Sequence, residues 1–309
     1  MRSKESYESQ AQSMTGEKQE WLHSIRRLQL LSDHVAHSLL AGLYSSAFKG
    51  QGMEFEEVRE YLPGDEVRNI DWNVTARMGH PYVKRFREER DATVYLLVDL
   101  SASMLFTTER YSKLDRAREL TALLAFAAAQ NGDRVGLLLF GMHKERLIAP
   151  KKGRKHAMRI VSELFQPAQP TSPAGIGSLP SLLRRLLRSL PHRAICLLVS
   201  DLLYELPIAQ LQQLQRRHDL VIAWLYDKAE RQWPAGLRGI WELRELERPK
   251  EQLFDLNCSM HPPSEPLQAL QERHQQLLQT MSFSYFELAT DETPLAALRH
   301  YLLLRHHRQ

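Results

Sequence analysis

The five residues Asp99-Leu100-Ser101-Ala102-Ser103 carry one carboxylate and two hydroxyls at alternate positions, directly after the apolar run Thr93-Val94-Tyr95-Leu96-Leu97-Val98. Three oxygen donors on one tight loop suit a hard divalent cation, Mg²⁺ first, with Mn²⁺ and Ca²⁺ as alternatives. A second apolar segment ends Leu198-Val199-Ser200-Asp201, and neither loop contains a His or Cys that would favour zinc. If the two strands are neighbours, Asp99 and Asp201 face one crevice with the hydroxyls between them. An ion with so few carboxylates keeps an open position that a partner's carboxylate can take, so the chemistry is adhesion. The plainer use of the same residues is a turn or N-cap for Asp99 and capping hydroxyls for Ser101 and Ser103.

Two other chemistries compete for Asp99. A hydrolase or phosphotransferase with an Asp nucleophile wants a second carboxylate two residues on, where Ser101 stands, and neither a phosphate-binding Gly-rich loop nor a Gly-x-Ser-x-Gly elbow occurs. A nucleic-acid-binding regulator would use the basic groups Lys151, Lys152, Arg154 and Lys155 or Arg184, Arg185 and Arg188. No aromatic platforms are interleaved with them, and solvated helix faces account for both. The reading that leads is a non-enzymatic protein-interaction module.

A crevice needs elements to form it. From residue 92 onward, strand-length apolar runs at 93–100, 134–140, 194–202, 220–226 and 284–288 alternate with helical patterns at 113–131, 154–165, 179–190, 208–218, 267–281 and 294–305. Strands apolar on both faces and separated by helices predict an α/β fold, a doubly wound and mostly parallel sheet covered on both sides. Ligands then gather at the carboxyl ends of strands where strand order reverses. Residues 239–256 interrupt the alternation and read as a hairpin at a sheet edge. Residues 1–18 are polar and read as a flexible tail, whereas Trp21, Leu22, Ile25, Leu28, Leu31, Val35, Leu39 and Leu40 recur at helical spacing. That gives an N-terminal helix and an irregular β extension over 19–90, followed by the α/β domain over 91–309.

Composition narrows the setting. The 309 residues carry 41 basic and 37 acidic side chains, a net charge of +4 that calls for no nucleic acid. Cys196 and Cys258 stand far apart without metal-ligand spacing, which fits reduced thiols in the cytoplasm. The first twenty residues lack an apolar core, and the longest apolar stretch, 120–129, is too short to span a bilayer, so neither secretion nor membrane insertion is expected.

Asp99-Leu100-Ser101-Ala102-Ser103 resembles the metal-ion-dependent adhesion site of von Willebrand factor A domains. The stretches Gly52-Met53-Glu54-Phe55, Arg59-Glu60-Tyr61-Leu62-Pro63-Gly64-Asp65-Glu66-Val67-Arg68-Asn69-Ile70-Asp71-Trp72 and Ala76-Arg77 are similar to the signature of a bacterial branch, the domain of unknown function 58 family. Arg217-His218-Asp219-Leu220-Val221 and Tyr226-Asp227-Lys228-Ala229-Glu230 continue the likeness, which spans residues 20 to 290. The resemblance implies a Rossmann-like von Willebrand factor A-type sheet with Asp99, Ser101 and Ser103 as the first metal loop and Asp201 as the last. The second loop departs from the family's Gly-Thr-Asp-Leu-like turn: Gly175-Ile176-Gly177-Ser178-Leu179 stands there, leaving Ser178, or less directly Thr171, to supply the hydroxyl. The resemblance further implies an adaptor or chaperone-like partnership with a MoxR-type AAA+ ATPase and an unidentified client. Residues 59–77 are then either an extension stitched down by ion pairs or a docking surface using Arg68, Asp71, Trp72 and Arg77, whose Trp and Arg are types common at binding hot spots.

Overall fold

The computed structural model describes residues 53–62, 65, 70–88, 92–142, 145–166, 179–190, 193–231, 240–244, 251–255 and 265–307. The expected tail and N-terminal helix, and Arg68, Thr171, Ser178 and Cys258, lie outside the described residues. Residues 48–91 form one compact unit and the remainder another.

In the smaller unit, strand β1 (Met53–Glu60) pairs antiparallel with β2 (Tyr82–Glu88), with a register shift between Phe55 and Glu57. Helix α1 (Trp72–Met78) lies between them in sequence. Asp71 caps it by accepting from Asn73 N and Val74 N, and Gly79 ends it at φ 76°, a left-handed turn that glycine takes without strain. Within this unit Arg59 Nη2 lies 2.7 Å from Asp65 Oδ1.

The larger unit is built on a six-stranded sheet. Its strands are β3 (Thr93–Asp99), β4 (Arg134–Phe140), β5 (Arg146–Lys151), β6 (Ile195–Ser200), β7 (Asp219–Tyr226) and, beyond the hairpin strands β8 (Ile240–Arg244) and β9 (Glu251–Asp255), β10 (Ser284–Ala289). The order is β10-β7-β6-β3-β4-β5, all parallel except β5. Chain order runs from β3 outward to β4 and β5, then returns to β6 on the other side, so the switch point lies between β3 and β6. Leu96, Leu97 and Val98, and Leu198 and Val199, have no solvent exposure, as strands buried on both faces require.

Helices cover both faces. Helices α4 (Leu179–Ser189), α5 (Ile208–Arg217) and α7 (Glu265–Thr280) contribute Leu182, Leu183, Leu186, Leu211, Leu214 and Leu278 to a core shared with Tyr95, Leu97, Leu138, Leu198, Ile222 and Trp224. Against the other face packs α2 (Lys113–Gln130), beside α3 (Arg154–Leu164) and α8 (Pro294–His307). Arg184, Arg185 and Arg188 face solvent opposite the leucines of α4, as a solvated helix face does.

The doubly wound, mostly parallel α/β sheet expected from the sequence is the one observed. Two elements differ. β5, Arg-Leu-Ile-Ala-Pro-Lys, has no apolar run because it is the antiparallel edge strand, where Pro150 and alternating exposure are tolerated. Among the described residues the hairpin of β8 and β9 does not extend the large sheet: the two strands pair with each other.

α2 begins with a capping box in which Ser112 Oγ accepts from Asp115 N at 3.1 Å and Asp115 Oδ2 accepts from Ser112 N at 3.0 Å. We expect Ser112→Ala to lower unfolding free energy by about 1 kcal/mol in urea titration. A change within a few tenths would show that the box does not set the start of α2.

Candidate functional site

β3 and β6 are hydrogen-bonded neighbours, with Val98 opposite Val199, so the sheet carries Asp99 and Asp201 to the same end on either side of the switch point. Asp99 is fully buried. Its Oδ1 accepts from Ser101 N at 2.9 Å and its Oδ2 from Ser200 Oγ at 2.7 Å, each oxygen retaining lone-pair capacity. After Ser101 the chain makes a 3₁₀ turn, Ala102–Leu105, that brings Ser103 Oγ to 3.1 Å from Ser101 Oγ. That separation is close to the ~3 Å edge of an octahedron with ~2.1 Å metal–oxygen bonds.

Gly141, following β4 at φ 78°, closes over this loop. A Cβ there would stand 2.5 Å from Asp99 Oδ1 and 2.7 Å from Ser101 N, so only glycine allows the approach. On the far side, Leu202 takes a positive φ of 57°, its N–H donates to Ser200 Oγ, and Trp224 Nε1 donates to the Asp201 carbonyl at 3.0 Å. The first and last loops are both held by specific contacts.

Asp201 is not directed at the hydroxyls alone. Its Oδ2 lies 2.8 Å from the ammonium of Lys113, the first residue of α2, and that ammonium also lies 2.5 Å from Glu230 Oε1. Lys113 has no solvent exposure. Burial pulls its pKa down, but Asp201 and Glu230 more than offset this and leave it raised, so it is a charged ammonium. Glu230, in the short helix α6 (Lys228–Arg231), is itself pushed up because burial outweighs the help from Lys113. Its second oxygen, Oε2, accepts from Asp227 N at 3.0 Å.

Asp227, the next strand-end acid, is a contrast. It accepts from Thr108 N, Thr108 Oγ1, Ala229 N and Thr290 Oγ1 at 2.6–3.0 Å, and these donors overcome burial and hold its pKa low. It is a satisfied structural anion that ties the segment after Ser103 to β7.

Asp201 and Glu230 thus share one ammonium, whereas at Asp99 burial, followed by the charge of Asp201, pushes the carboxyl up to about 7. The Tyr204 hydroxyl is buried without a hydrogen-bond partner among the described residues; burial and the Asp99 charge push its pKa well up, and the nearby Ser200 hydroxyl donates to Asp99 instead. Among the described residues no three carboxylate, imidazole or thiol side chains converge. Asp99, Ser101 and Ser103 nonetheless fit a divalent ion: oxygen donors only, with the hydroxyls one octahedral edge apart.

Of the residues singled out in the sequence, Asp99 and Asp201 end neighbouring strands, near enough for the Asp201 charge to act on Asp99, and Ser103 lies beside Ser101. In the smaller unit, Trp72 is 66% exposed and Arg77 is exposed in the last turn of α1, while Asp71 is engaged as the helix cap. Sequence reasoning missed Lys113, Ser200, Glu230 and Gly141. Lys113 left one signal: a cation in the first turn of a helix opposes the macrodipole and needs an anionic partner.

The folded chain holds a proton on Asp99 up to about 7, whereas an unfolded chain releases it at the ordinary 3.8. The native state therefore binds more protons between these values, and stability contributed by Asp99 is full below them and lost as pH rises through about 7. In chelator-treated buffer, the urea midpoint should fall between pH 5 and pH 8, with a shallower fall in Asp99→Asn. Equal slopes would place the linked proton elsewhere.

A family model described as "Protein of unknown function DUF58" matches residues 57–261. An uncharacterized protein of Mycobacterium tuberculosis strain H37Rv is 30% identical over 213 residues, covering 68% of this chain and 67% of that protein. Among solved structures, an aerotolerance-related membrane protein from Bacteroides fragilis aligns at 13% identity and a TM-score of 0.43, over 70% of this chain and 99% of that one. A von Willebrand factor type A protein from Catenulispora acidiphila aligns at 10% identity and 0.38, over 84% and 51%. No helix among the described residues is long and apolar enough to cross a membrane. By the family model and the mycobacterial relative together, the chain belongs to the DUF58 family.

Proposed function

We propose that this chain is a non-enzymatic protein-interaction module that grips a carboxylate of its partner through a divalent ion, Mg²⁺ with Mn²⁺ or Ca²⁺ as substitutes, held by Asp99, Ser101 and Ser103. The observation that carries the reading is the buried Asp99 carboxylate at the switch point, with two hydroxyls 3.1 Å apart on its own loop. A single direct carboxylate leaves the ion electron-poor and short of ligands, and an acidic side chain from a second protein supplies both lacks. Ser178 is the candidate for the remaining hydroxyl. Leu105 and Tyr111, 50% and 41% exposed, stand in the loop that follows Ser103 and give a partner apolar surface beside the ion.

The partner is a MoxR-type AAA+ ATPase, with the chain as adaptor or chaperone-like recruiter of a client. Arg68, Asp71, Trp72 and Arg77 are the candidate second contact residues; Trp72 and Arg77 are exposed on α1, and Trp and Arg are types common at interface hot spots. Metal-completed contacts are reversible, which suits a grip that ATPase-driven motion must break.

Affinity purification of the full chain from its native host in Mg²⁺ should retain an AAA+ ATPase, lost on EDTA washing and lost with the variant Asp99→Ala/Ser101→Ala. Retention equal in all three conditions would contradict a metal-completed contact, and absence of any ATPase would contradict the partner.

A further inference from the structure

The proposed ion site leaves one buried charge without a role. Lys113 is fully buried, yet it is the first residue of a helix, a position where a lysine ordinarily reaches solvent and where the macrodipole disfavours it. Its ammonium spans two carboxylates from different strand ends, Asp201 after β6 at 2.8 Å and Glu230 after β7 at 2.5 Å. Every oxygen of those two acids is engaged: Asp201 Oδ1 by Leu203 N at 3.2 Å, Glu230 Oε2 by Asp227 N at 3.0 Å, and the other two by the ammonium. A simple structural ion pair would need one acid. Two acids, one of them shared with the candidate metal crevice, make a charge-setting device.

We propose that Lys113 is a positioning and specificity-determining residue of the site, a built-in cation that keeps Asp201 out of direct contact with the ion. This inference rests on the metal reading of the Asp99 loop. With Asp201 held by the ammonium, the ion takes Asp99 as its one carboxylate from these two loops, and its demand for a further carboxylate is met by the partner. If Asp201 were released, it would enter the shell, bind the ion more tightly and remove the reason to recruit an external acid. Glu230 keeps the ammonium centred: without it the full positive charge bears on Asp201 and on the ion beside it. Lys113 thus trades ion affinity for partner affinity.

The test is Mn²⁺ titration, by calorimetry and by electron paramagnetic resonance, of the full chain and four variants. Lys113→Met should bind Mn²⁺ about tenfold tighter or more, because a nearby positive charge is gone and Asp201 is free. Glu230→Gln, which keeps the Lys113–Asp201 pair and removes a negative charge, should bind about threefold weaker. Lys113→Met/Glu230→Gln removes one charge of each sign and leaves no unpaired Glu, so it guards against misfolding of the single variant; it should bind about threefold to tenfold tighter through release of Asp201 alone. Loss of a merely structural lysine would loosen the loops and weaken Mn²⁺, so tightening separates the two roles. Lys113→Met and the double variant binding no tighter than the parent overturn the proposal, as does tightening in Lys113→Met but not in the double variant, which would leave charge as the whole effect. A parent and variants that all fail to bind Mn²⁺ overturn the metal reading together with this inference, whereas parent binding abolished by Asp99→Ala/Ser101→Ala and unchanged by the Lys113 variants overturns this inference alone.

Discussion

A lysine ammonium removed from water persists only if anions meet it closely enough to offset several kcal/mol of lost hydration. In this chain that constraint organises the carboxyl end of the sheet. Lys113 fixes the start of α2 against the ends of β6 and β7 through Asp201 and Glu230. Asp227 fixes the loop before α2 through Thr108, from 119 residues away in sequence. The Asp99 loop is therefore suspended between a strand it terminates and a helix whose first turn is pinned electrostatically. Gly141 closes the remaining side by lying too near Asp99 for any side chain. The geometry of Asp99, Ser101 and Ser103 follows from these ties.

The charges in this cluster have consequences beyond structure. Asp227 is saturated with donors and stays a low-pKa anion with nothing to offer a ligand. Asp99 is the opposite case: burial first, then the charge of Asp201, push it up to about 7 against the donors Ser101 and Ser200. The two acids stand at the ends of strands separated by β6, and they differ because donors outweigh burial at Asp227 and do not at Asp99.

Much of this arrangement is legible in the order of residues alone. Burial on both faces gives β3, β4 and β6 unbroken apolar runs, and their alternation with helices marks the α/β fold, whereas the pairing of β3 with β6 that brings Asp99 and Asp201 to one end is a property of the assembled sheet. Edge position makes β5 invisible, because an edge strand with a proline and one exposed face lacks the apolar run that marks its neighbours. Lys113 is hidden for a different reason. The helix expected over 113–131 does begin at Lys113, but partners 88 and 117 residues downstream are a property of the assembled sheet, and no local pattern contains them. The hairpin of β8 and β9 is recognisable as a hairpin, while its independence from the large sheet is a matter of tertiary pairing.

Anomalous diffraction from crystals grown with Mn²⁺ would locate a divalent ion on the Asp99 loop and show whether Lys113 keeps Asp201 out of its shell. One strong peak is expected within bonding distance of Asp99, Ser101 and Ser103, with the Lys113–Asp201 pair intact. Absence of a peak at that loop, or a peak bonded to Asp201 with the Lys113 ammonium displaced, would contradict it.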